Sequence, residues 1–216
     1  VSHETCSCVI ADVMGQVMTF KVGMLGHHWV INSLAILAAV LAVGGDLGLA
    51  GLGLAEMKPL KGRGRRHRVF LESSGDASIL LIDESYNANP ASMRAAIETL
   101  GQISPKKSAK RIAVLGDMGE LGHQSDKLHA DLAEVLKNQK IDMVYTVGPY
   151  MKHLAEKLEK FRNGGHFEDR GKLEDVLLRN LRVGDVVMVK GSNASGMNNV
   201  VERILELEAP DIKQAV

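Results

Sequence analysis

The chain has 216 residues, of which 45% are hydrophobic, and its 26 basic side chains balance its 26 acidic ones. This length and composition can bury a packed core, which indicates an ordinary globular protein. The balanced charge gives no indication of nucleic acid or of an anionic membrane surface, so we expect neither as a partner. The longest apolar run, residues 34–43, is about half of the roughly 20 residues that a membrane span needs, and it predicts a buried helix.

The amino-terminal part predicts a β-hairpin followed by two helices. Partly alternating β-rich segments at residues 5–12 and 16–22 flank a short turn, which predicts the hairpin. A long apolar helix is expected over residues 28–43, because the two glycines that follow it end a helix. Asp46 is the expected N-cap of a second, shorter helix that ends near Met57.

The two cysteines indicate the compartment. Cys6 and Cys8 lie on one face of the first predicted strand and are too close in sequence for an easy disulfide. Reduced thiols are therefore expected rather than a disulfide or a metal site, and they indicate a cytoplasmic protein.

A segment rich in Pro, Gly and Arg, residues 59–68, follows the second helix. It shows no apolar period, so we interpret it as the connection between two domains. The domains expected on either side of it are residues 1–62 and residues 63–216.

From residue 69 onward, short β-branched runs alternate with amphipathic helical stretches. This alternation predicts an α/β fold with a Rossmann-like, doubly wound and mostly parallel sheet. A helix capped by Asn89, with Pro90 in its first turn, is expected to end at Gly101. Strands are predicted at residues 78–83, 111–115, 143–147, 165–167 and 185–189. Apolar stripes at helical spacing predict further core positions at Leu128, Leu132, Val135 and Leu136, and at Met151, Leu154, Leu158 and Phe161.

Three polar loops follow predicted strands directly, at Asp83–Pro90, Gly116–Gly122 and Lys190–Gly196. In a doubly wound sheet, the loops at the carboxyl ends of the strands gather along one edge, where ligands bind. Small residues let backbone N–H groups approach an anion, and Lys190 adds a full positive charge. Taken singly, each loop is equally well explained as a tight turn. Three such loops on one edge favour a site for a polar or anionic ligand.

Several common sites are missing from the sequence. The Gly116–Gly122 loop lacks the G-x-G-x-x-G spacing of a dinucleotide site, and no P-loop motif occurs. The eight histidines show neither a catalytic triad nor a zinc-ligand spacing, so no metal site is expected. If the protein uses a nucleoside triphosphate, its phosphate cradle lies outside this chain.

The same loops carry a family resemblance. The sequences D-E-S-Y-N-A-N-P at Asp83–Pro90, G-D-M-G-E-L-G at Gly116–Gly122 and V-K-G-S at Val189–Ser192 resemble motifs in the carboxyl-terminal half of Mur ligases. Residues 26–32 resemble the G-x-H-N-x-x-N at the end of the family's ATPase domain, with Trp29 in place of the first asparagine. The chain is therefore identified as a member of the Mur ligase family, and we expect it to be a fragment.

The resemblance implies both a domain assignment and a reaction. Residues 1–62 would be the end of the central ATP-binding domain, and residues 63–216 the Rossmann-like carboxyl-terminal domain. The enzyme would be an ATP-dependent amide-bond ligase that adds D-alanyl-D-alanine to UDP-N-acetylmuramoyl-tripeptide during peptidoglycan precursor synthesis. ATP would convert the terminal carboxylate into an acyl phosphate, which the amino group of the dipeptide attacks. A monomeric, cytoplasmic enzyme is expected.

ATP and Mg²⁺ would be held mainly by the amino-terminal part that the chain lacks. We therefore expect the isolated chain to show neither ligase nor ATPase activity. On the nucleotide side, the resemblance implies that Asn32 faces the adenine, Arg63 the nucleotide, and Asp83 or Glu84 the ribose hydroxyls. Arg63 lies in a basic cluster, however, and such clusters are usually solvated.

On the acceptor side, the resemblance implies roles for the polar loop residues. Lys190 and Ser192 are the catalytic candidates. Asn87 and Asn89 are expected, together with them, to face the incoming dipeptide and the reacting phosphate, and Asp117 is expected to support the second loop. Asn87 is also explained by a turn and Asn89 by a helix cap.

Two alternatives to this function stay open. One is another ligase of the same superfamily, such as folylpolyglutamate synthase, against which S-Y-N-A-N-P argues. The other is a non-catalytic Rossmann-like module that binds a nucleotide or a peptide.

Overall fold

The computed structural model describes residues 6–24, 26–71, 78–105 and 108–208. The chain separates into two compact units, residues 1–60 and 61–216. The division into residues 1–62 and 63–216, and the assignment of these parts to particular Mur ligase domains, stay predictions. Thr5, the first residue of the predicted hairpin, lies outside the described residues.

The first unit is a hairpin with two helices. Strands β1 (Ser7–Val13) and β2 (Gln16–Val22) are antiparallel, and helices α1 (His27–Ala42) and α2 (Leu47–Glu56) follow. The Asp46 carboxylate accepts a hydrogen bond of 2.9 Å from a main-chain N–H in the first turn of α2, as an N-cap residue does.

Helix α1 is less buried than its sequence predicts. Ser33 and Leu37 are its buried residues, and Leu37 packs with Phe20 and Val22 of the hairpin. Ile36, in the middle of the apolar run, is 42% exposed. The prediction of a buried helix is therefore wrong for much of the run, because the hairpin covers only one side of it. Within the described residues, no helix combines the length and the apolar character needed to cross a membrane.

The second unit is built on a six-stranded sheet. In chain order its strands are β3 (Arg65–Phe70), β4 (Ser78–Glu84), β5 (Arg111–Gly116), β6 (Met143–Val147), β7 (Asn163–Phe167) and β8 (Val186–Lys190). Their spatial order is β3-β4-β8-β5-β6-β7, and every neighbouring pair is parallel except β3 and β4. The expected mostly parallel α/β sheet is confirmed.

Strand β3 corrects the interpretation of residues 59–68 as a connection. From Arg65 onward these residues pair with β4 as an antiparallel edge strand. An edge strand tolerates charged side chains, and they discourage pairing with another chain. The missing apolar period reflects this edge position, in which Val69 is the one buried residue of β3.

Helices cover both faces of the sheet. They are α3 (Pro90–Gly101), α4 (Ser125–Ala130), α5 (Leu132–Asn138), α6 (Met151–Ala155), α7 (Arg170–Asn180) and α8 (Met197–Leu205). Ile82 and Met188 join the core formed with α3, α5 and α6, whereas Leu81 and Val187 join the core formed with α7 and α8. The side chains of adjacent residues in one strand thus pack into the cores on opposite faces of the sheet, because successive side chains of a β-strand alternate between the two faces.

The last predicted stripe is only partly correct. Helix α6 ends at Ala155, and Phe161, which the stripe places in the core, is 68% exposed. The Arg162 guanidinium carbon lies 5.0 Å from the centre of the Phe161 ring. The chain leaves the helix before Phe161, so the helical period no longer applies there.

Candidate functional site

The three predicted loops lie side by side at the carboxyl edge of the sheet. We call residues 85–89 the first loop, residues 117–121 the second and residues 191–196 the third. They follow β4, β5 and β8, and β8 lies between the other two strands. The Ser192 N–H donates to the Asp117 carbonyl at 2.8 Å, which joins the third loop to the second. Lys190 Nζ donates to the Asn87 carbonyl at 2.9 Å, which ties the end of β8 to the first loop.

Asp83 is a buried organiser of the first loop. It is 1% exposed, and its Oδ1 accepts from Ser85 N at 3.1 Å and from Ser85 Oγ at 2.6 Å. Its Oδ2 accepts from Gly62 N at 2.8 Å. Both carboxylate oxygens are thus occupied by groups of the protein, which leaves Glu84 as the more accessible of the two acids.

Glu84 and Lys190 form a nearly buried ion pair. Their Oε2 and Nζ atoms are 3.6 Å apart, and the side chains are 18% and 4% exposed. Burial lowers the pKa of Lys190, and the neighbouring Glu84 carboxylate partly opposes that effect. Burial likewise raises the pKa of Glu84, against the opposing effect of Lys190. The pair places a desolvated positive charge beside a desolvated carboxylate at the edge of the sheet.

Arg63 lies next to this pair. Its guanidinium carbon is 4.2 Å from the centre of the Tyr86 ring, within the range of a cation–π contact. Its positive charge acts on both Glu84 and Lys190. Arg63 is therefore more than a solvated member of a basic cluster, although its side chain is exposed.

The two asparagines of the first loop have local partners. Asn87 Oδ1 accepts from Ala88 N at 2.8 Å. Asn89 Oδ1 accepts from Ser92 N at 2.8 Å, and Ser92 Oγ accepts from Asn89 N at 3.0 Å. This reciprocal pair is a capping box, which confirms the predicted start of α3 at Pro90. Both asparagines are exposed, and their contact with a substrate stays a prediction.

Asp117 links the second loop to helix α6. Its Oδ1 accepts from Met151 N at 2.8 Å and its Oδ2 from Tyr150 N at 3.4 Å. A carboxylate at a helix amino terminus satisfies free N–H groups and interacts favourably with the helix dipole. These bonds support the predicted structural role of Asp117.

His129 also supports the second loop, a role that was not predicted from the sequence. It is fully buried on α4, and its Nε2 accepts from Met118 N at 2.9 Å. Its Nδ1 lies 2.7 Å from the Ser125 carbonyl, so Nδ1 carries the hydrogen. The available signal was its position three residues before Leu132, on the buried stripe of the predicted helix.

The third loop is closely packed. Ser192 is 6% exposed, and its carbonyl accepts from Ser195 Oγ at 2.5 Å. A Cβ added to Gly191 would lie 2.5 Å from Met197 Cγ, so this position requires glycine. The loop therefore holds Ser192 in a fixed place next to Lys190.

The remaining nucleotide-side candidate, Asn32, belongs to the first unit and lies on an exposed part of α1. Its predicted contact with adenine stays a prediction. Among the described residues, no group of three or more His, Cys, Asp or Glu side chains could hold a metal ion. The side chains of the described part of the chain therefore do not by themselves fit Mg²⁺.

The sheet order defines an α/β protein of the doubly wound class, in which ligands commonly bind at the carboxyl edge of the sheet. Comparison with known proteins places it more narrowly. The family model described as "Mur ligase, glutamate ligase domain" matches residues 65–193. The chain belongs to the Mur ligase family.

Individual relatives agree with this assignment. The UDP-N-acetylmuramoyl-tripeptide–D-alanyl-D-alanine ligase of Mycobacterium tuberculosis (strain CDC 1551 / Oshkosh) is 32% identical over 204 residues, which is 86% of this chain and 39% of the relative. A crystal structure of MurF from Acinetobacter baumannii superposes with a TM-score of 0.78 at 26% identity and covers 94% of this chain and 42% of that one. MurF from Thermotoga maritima in complex with ADP gives a TM-score of 0.74 at 26% identity, with 100% and 46% covered. The chain thus spans about two fifths of the length of the curated relatives that it matches.

Proposed function

We propose that this chain is part of an ATP-dependent ligase that joins D-alanyl-D-alanine to UDP-N-acetylmuramoyl-tripeptide. The observation that carries the proposal is the hydrogen-bonded connection of the three loops around Lys190 and Ser192. The M. tuberculosis relative is named for this reaction, and the similarity to it supports the choice of substrates.

Arg63 and Glu84 are proposed to face the nucleotide. Both lie at the carboxyl end of β4, and an arginine fork suits phosphate oxygens. The occupied oxygens of Asp83 favour Glu84 over Asp83 as the acid that contacts the ribose hydroxyls. Asp83 is instead proposed to hold the Gly62 and Ser85 backbones in place.

Asn87, Lys190 and Ser192 are proposed to face the dipeptide and the reacting carboxylate. A buried ammonium at this point stabilises negative charge that develops on a tetrahedral intermediate, because the surroundings screen it weakly. The Asn87 amide group is exposed and is oriented by the bond from its Oδ1 to Ala88 N. Asn89 is proposed to contribute less to substrate binding, because its side chain already closes the capping box.

When bound, ATP supplies the phosphoryl group that activates the acceptor carboxylate. The described residues contribute the sheet edge, Arg63 and the Glu84–Lys190 pair. No step is assigned to Mg²⁺, because the described residues form no cluster that could hold it.

We also propose a monomeric, cytoplasmic enzyme. The close sequence spacing of Cys6 and Cys8 suits reduced thiols and therefore a reducing compartment.

The test is a ligation assay of the complete enzyme that carries this chain. Product formation from UDP-N-acetylmuramoyl-tripeptide is followed by mass spectrometry with D-alanyl-D-alanine, D-glutamate or L-lysine as the amine. The proposal predicts ATP-dependent product with the dipeptide only. Product with a single amino acid instead would favour another ligase of the superfamily, and nucleotide or dipeptide binding without product would favour a non-catalytic module. The isolated 216-residue chain should release no phosphate from ATP.

A further inference from the structure

Arg63 and Tyr86 form an exposed cation–π pair next to the Glu84–Lys190 ion pair. We propose that Tyr86 is a positioning residue, which holds the Arg63 guanidinium in the orientation that receives the nucleotide. This inference rests on the proposed function. Tyr86 acts through Arg63 and is not itself proposed to touch the reacting atoms.

The backbone brings the two residues together. Gly62 N donates to Asp83 Oδ2 at 2.8 Å, and the Gly62 carbonyl accepts from Tyr86 N at 3.1 Å. Gly64 N donates to the Asp83 carbonyl at 2.8 Å, so Arg63 has an anchored residue on each side.

Glycine is needed at the position before Arg63. Gly62 has a φ of +76°, and a Cβ there would lie 2.8 Å from both the N and the Cβ of Tyr86. This close approach fixes where the Tyr86 side chain leaves the backbone relative to Arg63. The contact between the two side chains therefore follows from an ordered main chain and not from the meeting of two mobile surface residues.

The geometry leaves the binding groups of Arg63 free. A guanidinium that lies over an aromatic ring uses its face, and its five N–H donors point outward in its plane. Among the residues that the structure describes, none accepts a hydrogen bond from the Arg63 guanidinium. The Glu84 carboxylate also attracts the Arg63 guanidinium electrostatically. An arginine that is held by an aromatic ring, and whose N–H donors bond to no described residue, is prepared for a bidentate phosphate or carboxylate oxygen pair.

Burial in the core does not explain why position 86 carries an aromatic side chain. Its side chain is 52% exposed, so it contributes little to the core, and a residue that only filled the turn would not need an aromatic ring. The chain offers a matched pair for comparison, because Phe161 is also exposed and lies under Arg162 at 5.0 Å. That pair precedes β7 and so lies at the amino edge of the sheet, opposite the three loops.

The experiment measures steady-state kinetics of the complete enzyme with ATP as the varied substrate. Tyr86→Leu should raise the KM for ATP about two- to fivefold, the size of an exposed cation–π contact, with kcat nearly unchanged. Tyr86→Phe keeps the ring and should restore the wild-type KM. Phe161→Leu should leave both parameters unchanged. In an Arg63→Ala background, Tyr86→Leu should have no further effect on KM, because its target is gone.

The proposal is overturned if Tyr86→Leu behaves like Phe161→Leu, or if its effect persists undiminished in the Arg63→Ala background. A second measurement does not depend on activity. In the NMR spectrum of the chain, the side-chain protons of Arg63 should be shifted by the Tyr86 ring, retain that shift in Tyr86→Phe and lose it in Tyr86→Leu. Absence of the shift in the wild-type chain would refute the contact itself. An inactive wild-type enzyme with a normal Arg63 shift would instead contradict the proposed function and leave the contact established.

Discussion

Asp83→Asn should destabilise the second unit strongly, although the two side chains have almost the same shape. The wild-type carboxylate is 1% exposed and accepts three hydrogen bonds, two from Ser85 and one from Gly62. An asparagine that keeps its oxygen toward Ser85 must present an NH₂ group to the Gly62 N–H. One charge-assisted bond is then lost and a buried donor has no acceptor.

Each charge-assisted hydrogen bond contributes about 1.5–3 kcal/mol, and an unsatisfied buried donor costs about 1–3 kcal/mol. Because the two penalties overlap for the same N–H, we expect a loss of about 2–4 kcal/mol in the free energy of unfolding. Asp83→Ala removes all three bonds and should cost at least as much.

The assay is urea unfolding followed by the NMR signals of the tyrosine rings, which are distinct from those of Trp29 in the first unit. Tyr86, Tyr145 and Tyr150 all lie in the second unit, so this signal reports on the unit that contains Asp83. Asp175→Asn is the matched control, because Asp175 is exposed on α7 and its replacement should change stability by less than about 0.5 kcal/mol. If Asp83→Asn shifts the transition no more than this control does, Asp83 does not organise the loop.

Three further predictions concern the same edge of the sheet. Burial holds the pKa of Lys190 below 10.5, so between the folded and unfolded pKa values the unfolded chain binds more protons and stability rises with pH. Lys190→Met should abolish that rise in urea unfolding measured across the alkaline range, and an unchanged slope would contradict the assignment. Asn89→Ala should cost about 1 kcal/mol by loss of the cap of α3, and Asn89→Asp should restore most of it; equal stability of Asn89→Ala and wild type would refute the cap. His129→Leu should cost about 1–3 kcal/mol and accelerate amide exchange at Met118, whose N–H loses its acceptor, and slow exchange there would argue against this role.

The parallel strands and the helices of the second unit could be predicted because the sequence patterns that indicate them are local. Each buried strand is a short apolar run bounded by polar residues, and Asn89 followed by Pro90 marks a helix start by chemistry that acts within one turn. Strand β3 could not be found in this way. Its pairing partner is distant in sequence, and its arginines reflect an edge position that only the sheet order shows.

In the candidate site, too, local sequence signals could be read, whereas contacts between residues distant in sequence could not. The loop residues were found because small and polar residues after a buried strand indicate a ligand site at a sheet edge. The sequence could not decide between Asp83 and Glu84, since the choice depends on the N–H of Gly62, which lies 21 residues before Asp83. The buried role of His129 and the pairing of Arg63 with Tyr86 also depend on three-dimensional contacts.

Helix α1 and Phe161 show where apolar character alone misleads. An apolar stripe predicts that a face can be buried, but burial needs a partner surface. Ile36 and Phe161 both remain exposed for lack of one among the described residues.

The central claim is that the three loops form the dipeptide side of a ligase site. A crystal structure of the complete enzyme with ADP and D-alanyl-D-alanine tests it most directly. We predict that the dipeptide lies against the carboxyl edge of the sheet, within hydrogen-bonding distance of at least two of Asn87, Lys190 and Ser192. A dipeptide bound in the enzyme without contact to any of the three loops would contradict this account.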